Sequence, residues 1–141
     1  MSTLSADAVS PTAPSRRAVL AGRILSGLAI LFMLFDTAIH FMAPAPVTAA
    51  FERLGYSASL ARPIAVIELV CLILYAVPRT APLGAVLLTG YLGGAVATQL
   101  RAGSSLFGET LFPIYVGIVV WLGLALRDER VRRALGARRS R

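Results

Sequence analysis

Residues 18–42 read AVLAGRILSGLAILFMLFDTAIHFM, and this stretch decides the fold class. At the helical rise of about 1.5 Å per residue, it is long enough to cross the ~30 Å hydrocarbon layer of a bilayer. Arg16 and Arg17 precede it, and the APAP of residues 43–46 ends it because proline cannot continue a helix interior. We therefore predict that a first membrane-spanning helix covers residues 18–42.

Three further apolar runs, over residues 63–77, 83–100 and 111–126, predict three more spans. The first and third of these are short for a span, at roughly 15–17 residues, and their flanking arginines can snorkel to make up the length. The connections at residues 47–62 and 101–110 are amphipathic, irregular or polar. These runs predict an all-α integral membrane four-helix bundle.

The remaining segments are tails on either side of a domain over residues 18–130. Residues 1–17 are small and polar, which is typical of a disordered tail. Residues 131–141 are rich in arginine and are expected to bind anionic headgroups as a juxtamembrane cluster.

The composition supports lipid as the solvent of this chain. Of 141 residues, 57% are hydrophobic and 15% charged, more apolar side chain than a soluble domain of this length can bury. The net charge of +7 comes from arginine without lysine, and the arginines lie at the ends of the apolar runs. A nucleic-acid surface would instead mix basic and aromatic residues, so we predict no nucleic-acid partner.

The arginines also predict the orientation. With four spans, the two tails and the turn at residues 78–82 share one side of the membrane and carry eleven arginines, whereas the other side carries three. The positive-inside rule therefore places both termini in the cytoplasm of a bacterial cell, in the inner membrane. The alternative is a cleaved twin-arginine signal starting at Arg16 and Arg17. The long first run, which contains Asp36 and His40, argues against it.

Ionisable side chains inside a membrane are costly and usually face the interior of a helix bundle. Asp36 and Glu68 lie about six residues from the outer ends of the first and second spans, so both carboxyls are expected roughly 9 Å inside that boundary. His40 shares the helical face of Asp36. We predict a proton-handling pocket in the outer half of the bundle. Its other candidate residues are Tyr91, Thr98, Gln99, Arg101 and Tyr115.

Two interpretations of these polar residues stay open. They can line a functional pocket, or they can form a satisfied interhelical network that only fixes helix register. We predict no metal at Asp36, His40 and Glu68, because no ligand spacing beyond i, i+4 points to one. The lone thiol of Cys71 is expected to pack, because a single cysteine cannot form a redox pair within the chain.

Gly90 and Gly94 in the third run form a GxxxG pair. Such a pair lets a neighbouring helix approach closely. In a four-helix chain we expect that neighbour to be another helix of the same chain.

Several segments together resemble the DoxX-like family over about residues 20–130. They are IELVCLILY at residues 67–75, VPRT at 77–80, LGAVLLTGYLGGAVAT at 83–98 and LFPIY at 111–115. The most specific part is LLTGYLGGAVATQLR at residues 87–101. The resemblance implies a four-helix bacterial membrane protein. Some relatives serve as membrane subunits of oxidoreductase systems linked to sulfur compounds, thiols or quinone.

The resemblance supplies no list of catalytic residues. From it and the pocket together, we expect a membrane subunit of a quinone- or thiol-linked redox system that is not an enzyme on its own. Quinone would be its cofactor and a redox protein its partner. Two other classes stay open. A small-solute or proton transporter needs polar groups through the whole membrane thickness, and an assembly or scaffold protein needs no ligand.

Overall fold

The computed structural model describes residues 15–136, in which every regular element is helical. The segments at residues 1–14 and 137–141, which belong to the two predicted tails, lie outside the described residues. The α-helices in chain order are α1 (Arg16–Met42), α2 (Ala45–Arg53), α3 (Ala61–Ala76), α4 (Ala81–Arg101), α5 (Phe112–Arg127) and α6 (Glu129–Gly136).

Four of these segments are long and apolar enough to cross a membrane: α1, α4, α3 with the 3₁₀ turn before it, and α5 with the π-helical turn before it. Large apolar side chains such as Leu31 and Phe35 are exposed on the outside of the bundle, where they contact lipid. The prediction of an all-α membrane bundle is confirmed, and each long helix begins and ends within two residues of the predicted bounds.

One difference lies at the start of α1. Residues 16 and 17, predicted as the end of a disordered tail, are the first helical residues. Ser15 explains the earlier start, because its side chain accepts a hydrogen bond from the backbone N–H of Ala18 at 3.2 Å and caps the helix.

The four long helices form a ring in which each contacts the helices before and after it, and α5 returns to α1. Consecutive helices run in opposite directions. The start of α1, the turn between α3 and α4, and the end of α5 therefore share one end of the bundle, which we call the terminal end. The opposite end, which carries α2 and the connection between α4 and α5, we call the cavity end.

Close helix contact at the terminal end depends on glycine. A Cβ at Gly84 would lie 2.2 Å from the backbone nitrogen of Tyr75, so only glycine lets α4 start against α3. A Cβ at Gly123 of α5 would lie 2.6 Å from Oγ of Ser26, and one at Gly22 of α1 would lie 2.7 Å from the nitrogen of Arg127. These contacts hold α1 against α5.

The predicted glycine pair has a different environment. A Cβ at Gly90 or at Gly94 would meet no atom within 4 Å, and both positions are exposed. The expectation that they contact another helix of this chain is therefore wrong. GxxxG spacing indicates a smooth face on a helix, but it does not say whether that face points to a neighbour or outward.

The terminal end also contains a buried polar network, in addition to the polar residues predicted for the outer half of the bundle. The Tyr75 side chain is fully buried, and its hydroxyl donates to the carbonyl of Val120 at 2.8 Å and lies 3.0 Å from Oγ of Ser26. Arg127 donates to the Tyr75 carbonyl at 3.0 Å. This network fixes the relative positions of α1, α3 and α5.

Candidate functional site

A cavity of about 380 Å³ lies at the cavity end, where the four long helices and α2 meet. Its walls combine aromatic and aliphatic side chains with a few polar groups, which is typical of sites for small ligands. The polar or titratable lining residues are Asp36, His40, Tyr56, Glu68, Tyr91, Thr98 and Gln99.

Asp36 and His40 form a pair one turn apart on α1. The His40 Nδ1 lies 3.1 Å from the Asp36 carboxylate and 3.0 Å from the Asp36 backbone carbonyl. Both neighbours are acceptors, so we assign the proton to Nδ1, which leaves Nε2 as the ring nitrogen with a free lone pair. The pair can therefore pass a proton, since the carboxylate orients the imidazole and stabilises its charged form.

Glu68 and Tyr91 form a second pair, between α3 and α4. The Tyr91 hydroxyl donates to Oε2 of Glu68 at 3.2 Å, and Glu68 is only 1% exposed. Thr37 of α1 lies beside Glu68, and its buried hydroxyl has no hydrogen-bond partner among residues 15–136. An ionisable carboxyl buried in a membrane helix is costly, so Glu68 depends on these neighbours inside the bundle.

The two pairs are close enough to act together. One ligand atom each of Asp36, His40 and Glu68 lies within 4.8 Å of the other two. No arginine is among the described residues that line the cavity. His40 is therefore the basic side chain of the lining, and it lies next to the carboxyls of Asp36 and Glu68. Acid groups that share a site in this way are suited to exchanging protons with a bound ligand.

The same three residues are the donor types that bind divalent metal ions. Bonds of about 2.0–2.1 Å to a tetrahedral zinc ion would put its ligand atoms about 3.3 Å apart, closer than the 4.8 Å limit of this cluster. In addition, Nδ1 of His40 is already hydrogen-bonded to Asp36. The absence of a metal at these three residues stays a prediction.

Helix α2 and the residues after it cover the cavity. The buried ring of Phe51 packs edge-on against the His40 ring, with centroids 5.6 Å apart. The Tyr56 hydroxyl lies 2.9 Å from Oγ1 of Thr98. Arg101 donates to the carbonyl of Leu54 at 2.6 Å and lies over the Tyr56 ring at 5.5 Å. These contacts join the cover to α1 and α4.

The structure brings most of the predicted residues together. Gln99 lines the cavity, and its Oε1 accepts from the hydroxyl of Ser104 at 2.6 Å, which leaves its amide N–H groups free to donate. Thr98 also lines the cavity. Arg101 does not line the cavity, because it is exposed at the end of α4, where it contacts the cover.

Tyr115 lies away from the cavity on the exposed surface of α5, with 47% of its surface exposed. Pro113 lines the cavity, and a residue two positions later is rotated by about 200° around a helix. The rotation of α5 about its own axis thus directs Tyr115 outward.

Sequence reasoning missed Thr37, Phe51 and Tyr56. Phe51 and Tyr56 belong to a connection that was expected to lie outside the membrane, and the segment AFERLGY at residues 50–56 does not show which way its aromatics point. Thr37 directly follows Asp36, so its position beside an intramembrane acid was the available signal.

The fold and the cavity define a four-span membrane protein with a covered polar site at one end. Residues 24–123 match the model of the DoxX-like family, and the chain belongs to that family. The match contains all seven polar or titratable residues that line the cavity. Neither a curated protein nor a solved structure matches the chain.

Proposed function

We propose that this protein is a membrane subunit of a quinone-linked redox system and that the cavity holds the quinone headgroup. The observation that carries the proposal is the cluster of Asp36, His40 and Glu68, all within 4.8 Å, beside a cavity of about 380 Å³. The redox class is what the sequence resemblance implies, and the cavity is suited to the proton exchange that such a class requires.

Reduction of a quinone to a quinol takes up two electrons and two protons, one proton at each carbonyl oxygen. The Asp36–His40 pair and the Glu68–Tyr91 pair each offer a proton-exchanging group to the cavity. The free amide N–H groups of Gln99 can orient one quinone carbonyl. The electrons come from a partner redox protein, since the one cysteine of the chain cannot act as a dithiol.

The packing at the terminal end favours a site that is closed at that end. It argues against a transport pathway that crosses the whole membrane. Leu88 and Leu124 have no exposed surface, and together with Tyr75, whose hydroxyl is hydrogen-bonded to the Val120 carbonyl, they fill the terminal half of the bundle. A transporter needs polar or hydrated groups through the whole thickness. A redox site needs access from one side only.

The same proposal includes an orientation. The cavity end carries Arg53, Arg62 and Arg101, and all other arginines belong to the terminal end or to the tails attached to it. By the positive-inside rule the terminal end faces the cytoplasm of a bacterium and the cavity end faces outward. A periplasmic or membrane-bound electron donor would then reach the site from outside.

Helix α6 is proposed as a contact with anionic lipid. Val131 is buried against the bundle, which fixes the helix at the terminal end, and Arg130 and Arg133 are exposed. The hydrogen bond from Arg133 to Glu129 holds the pKa of that carboxyl below its usual range, so it stays charged. The helix keeps a positive excess, suited to headgroups of the cytoplasmic leaflet.

The test is a redox difference spectrum with organic extraction, on protein purified gently from its native membrane. We expect a stoichiometric quinone. Asp36→Asn and Glu68→Gln should each reduce the retained quinone about tenfold or more, because each removes a proton-exchanging group from the cavity. Glu52→Gln is the matched control, since Glu52 is exposed and does not line the cavity. Full retention of quinone by both cavity variants would contradict the proposal.

A further inference from the structure

A second space lies beside the cavity. It is a groove of about 490 Å³ between α4 and α5, and Leu135 of α6 also lines it. Leu92 and Pro113 line both the cavity and the groove. The two spaces are therefore neighbours that share part of one wall.

Between the cavity and the groove, the surface of α4 carries two residues without side chains, Gly93 and Gly94. Gly94 lines the cavity and Gly93, the next residue, lines the groove. A Cβ at either position would meet no atom within 4 Å, so the surface of α4 at these two glycines borders open space. A flexible chain can cross from the cavity to the groove at this point.

The groove itself is apolar along its length. Its polar side-chain groups belong to Thr89 and Trp121, and these satisfy each other, because the indole N–H donates to the Thr89 hydroxyl at 2.9 Å. The Thr89 hydroxyl in turn donates to the carbonyl of Ala85 at 2.8 Å. From Pro113 to Ala125 the groove extends about 18 Å at the helical rise, which is more than half of the hydrocarbon thickness.

We propose that this groove holds the isoprenoid tail of the quinone whose headgroup lies in the cavity, with the tail crossing α4 over Gly93 and Gly94. The inference rests on the proposed function and adds to it the class of ligand, a long-tailed lipid-soluble quinone in place of a small water-soluble substrate. A polar cavity joined to an apolar groove matches a ligand with a polar head and an apolar tail.

The continuity of the two spaces favours this occupant over a phospholipid chain. A phospholipid with its headgroup beside Leu135 at the terminal end would fill the groove alone, whereas the groove also joins a polar site that lies under the cover formed by α2. The tail of a ligand held at Asp36 and Glu68 leaves the cavity next to the groove.

The experiment measures binding of two probes to the full chain in nanodiscs: a benzoquinone without a tail and the same benzoquinone with a decyl tail. Gly93→Leu places a side chain in the crossing and should weaken binding of the decyl probe about tenfold. Binding of the tailless probe should stay within about twofold, which also shows that the variant is folded. Gly90→Leu is the matched control on the same helix, because Gly90 is equally open but lines neither space.

A second variant, Gly117→Leu, tests the opposite wall of the groove and should reproduce the selective loss. If both groove variants bind the decyl probe as the unaltered protein does, and the tailless probe still binds, the groove assignment is wrong but the proposed function stands. Bilayer lipid or a second copy of the chain would then occupy the groove. Equal loss of both probes would also overturn it. If neither probe binds the unaltered protein, the proposed function fails and this inference fails with it.

Discussion

The position of the proton on the His40 ring determines which ring nitrogen can accept a proton in the cavity. This position can be observed directly because the chain has a single histidine. Two acceptors of Asp36 hold that proton, the carboxylate at 3.1 Å and the backbone carbonyl at 3.0 Å. In protein labelled with ¹⁵N-histidine, we expect neutral His40 to carry its proton on Nδ1. Asp36→Ala keeps only the weaker carbonyl acceptor, so a measurable fraction with the proton on Nε2 should appear.

The exposed Glu52→Gln variant should leave the nitrogen spectrum unchanged, since Glu52 does not line the cavity. A neutral His40 protonated on Nε2 in the unaltered protein would contradict the assignment, and with it the direction in which the pair passes protons.

Individual residues also show why the site was only partly predictable. Asp36, His40 and Glu68 could be predicted because an ionisable group in an apolar run is unusual and must find partners inside the bundle. Tyr115 could not be placed, because an apolar helix carries no polar face that fixes its rotation. Ser26 and Tyr75 are 49 positions apart and individually unremarkable, so only the folded chain shows their contact.

The close approach of α4 to the end of α3 requires glycine at position 84, and this predicts a large effect of a small change. In Gly84→Ala the new methyl would lie 2.2 Å from the Tyr75 nitrogen, and a backbone atom cannot move aside as a side-chain end can. We expect a loss of about 1–3 kcal/mol in unfolding free energy, measured by denaturation in mild detergent.

Gly90→Ala is the control for that experiment, because the same methyl on the same helix meets open space. Its unfolding free energy should be unchanged or slightly raised, since alanine favours a helix more than glycine does. Equal losses in the two variants would contradict the prediction, because they would show that the contact with α3 does not set the cost.

Among the helices, the four spans were predictable and their cover was not. A span must be about 20 apolar residues long, so composition alone predicts it. Helix α2 has nine residues and no such length requirement, and its place over the cavity depends on Phe51 packing against His40. The GxxxG pair shows the same limit, since spacing identifies a bare face but packing at Gly22, Gly84 and Gly123 decides where helices meet.

The distribution of arginine predicts the orientation of the whole molecule, and with it the side of the membrane that the cavity faces. The eleven arginines assigned to the terminal end and its tails are Arg16, Arg17, Arg23, Arg79, Arg127, Arg130, Arg132, Arg133, Arg138, Arg139 and Arg141. Three arginines lie at the cavity end, so the excess of positive charge at the terminal end is large. The cavity should therefore open on the outer side, away from cytoplasmic reductants.

Reporter fusions test this orientation in a living bacterium. A fluorescent protein that folds only in the cytoplasm should be bright at the C-terminus, and alkaline phosphatase should be inactive there. The same phosphatase inserted at Gly103, in the exposed connection between α4 and α5, should be active because that connection belongs to the cavity end. The reverse pattern would place the cavity in the cytoplasm, and the electron donor would then be a cytoplasmic protein.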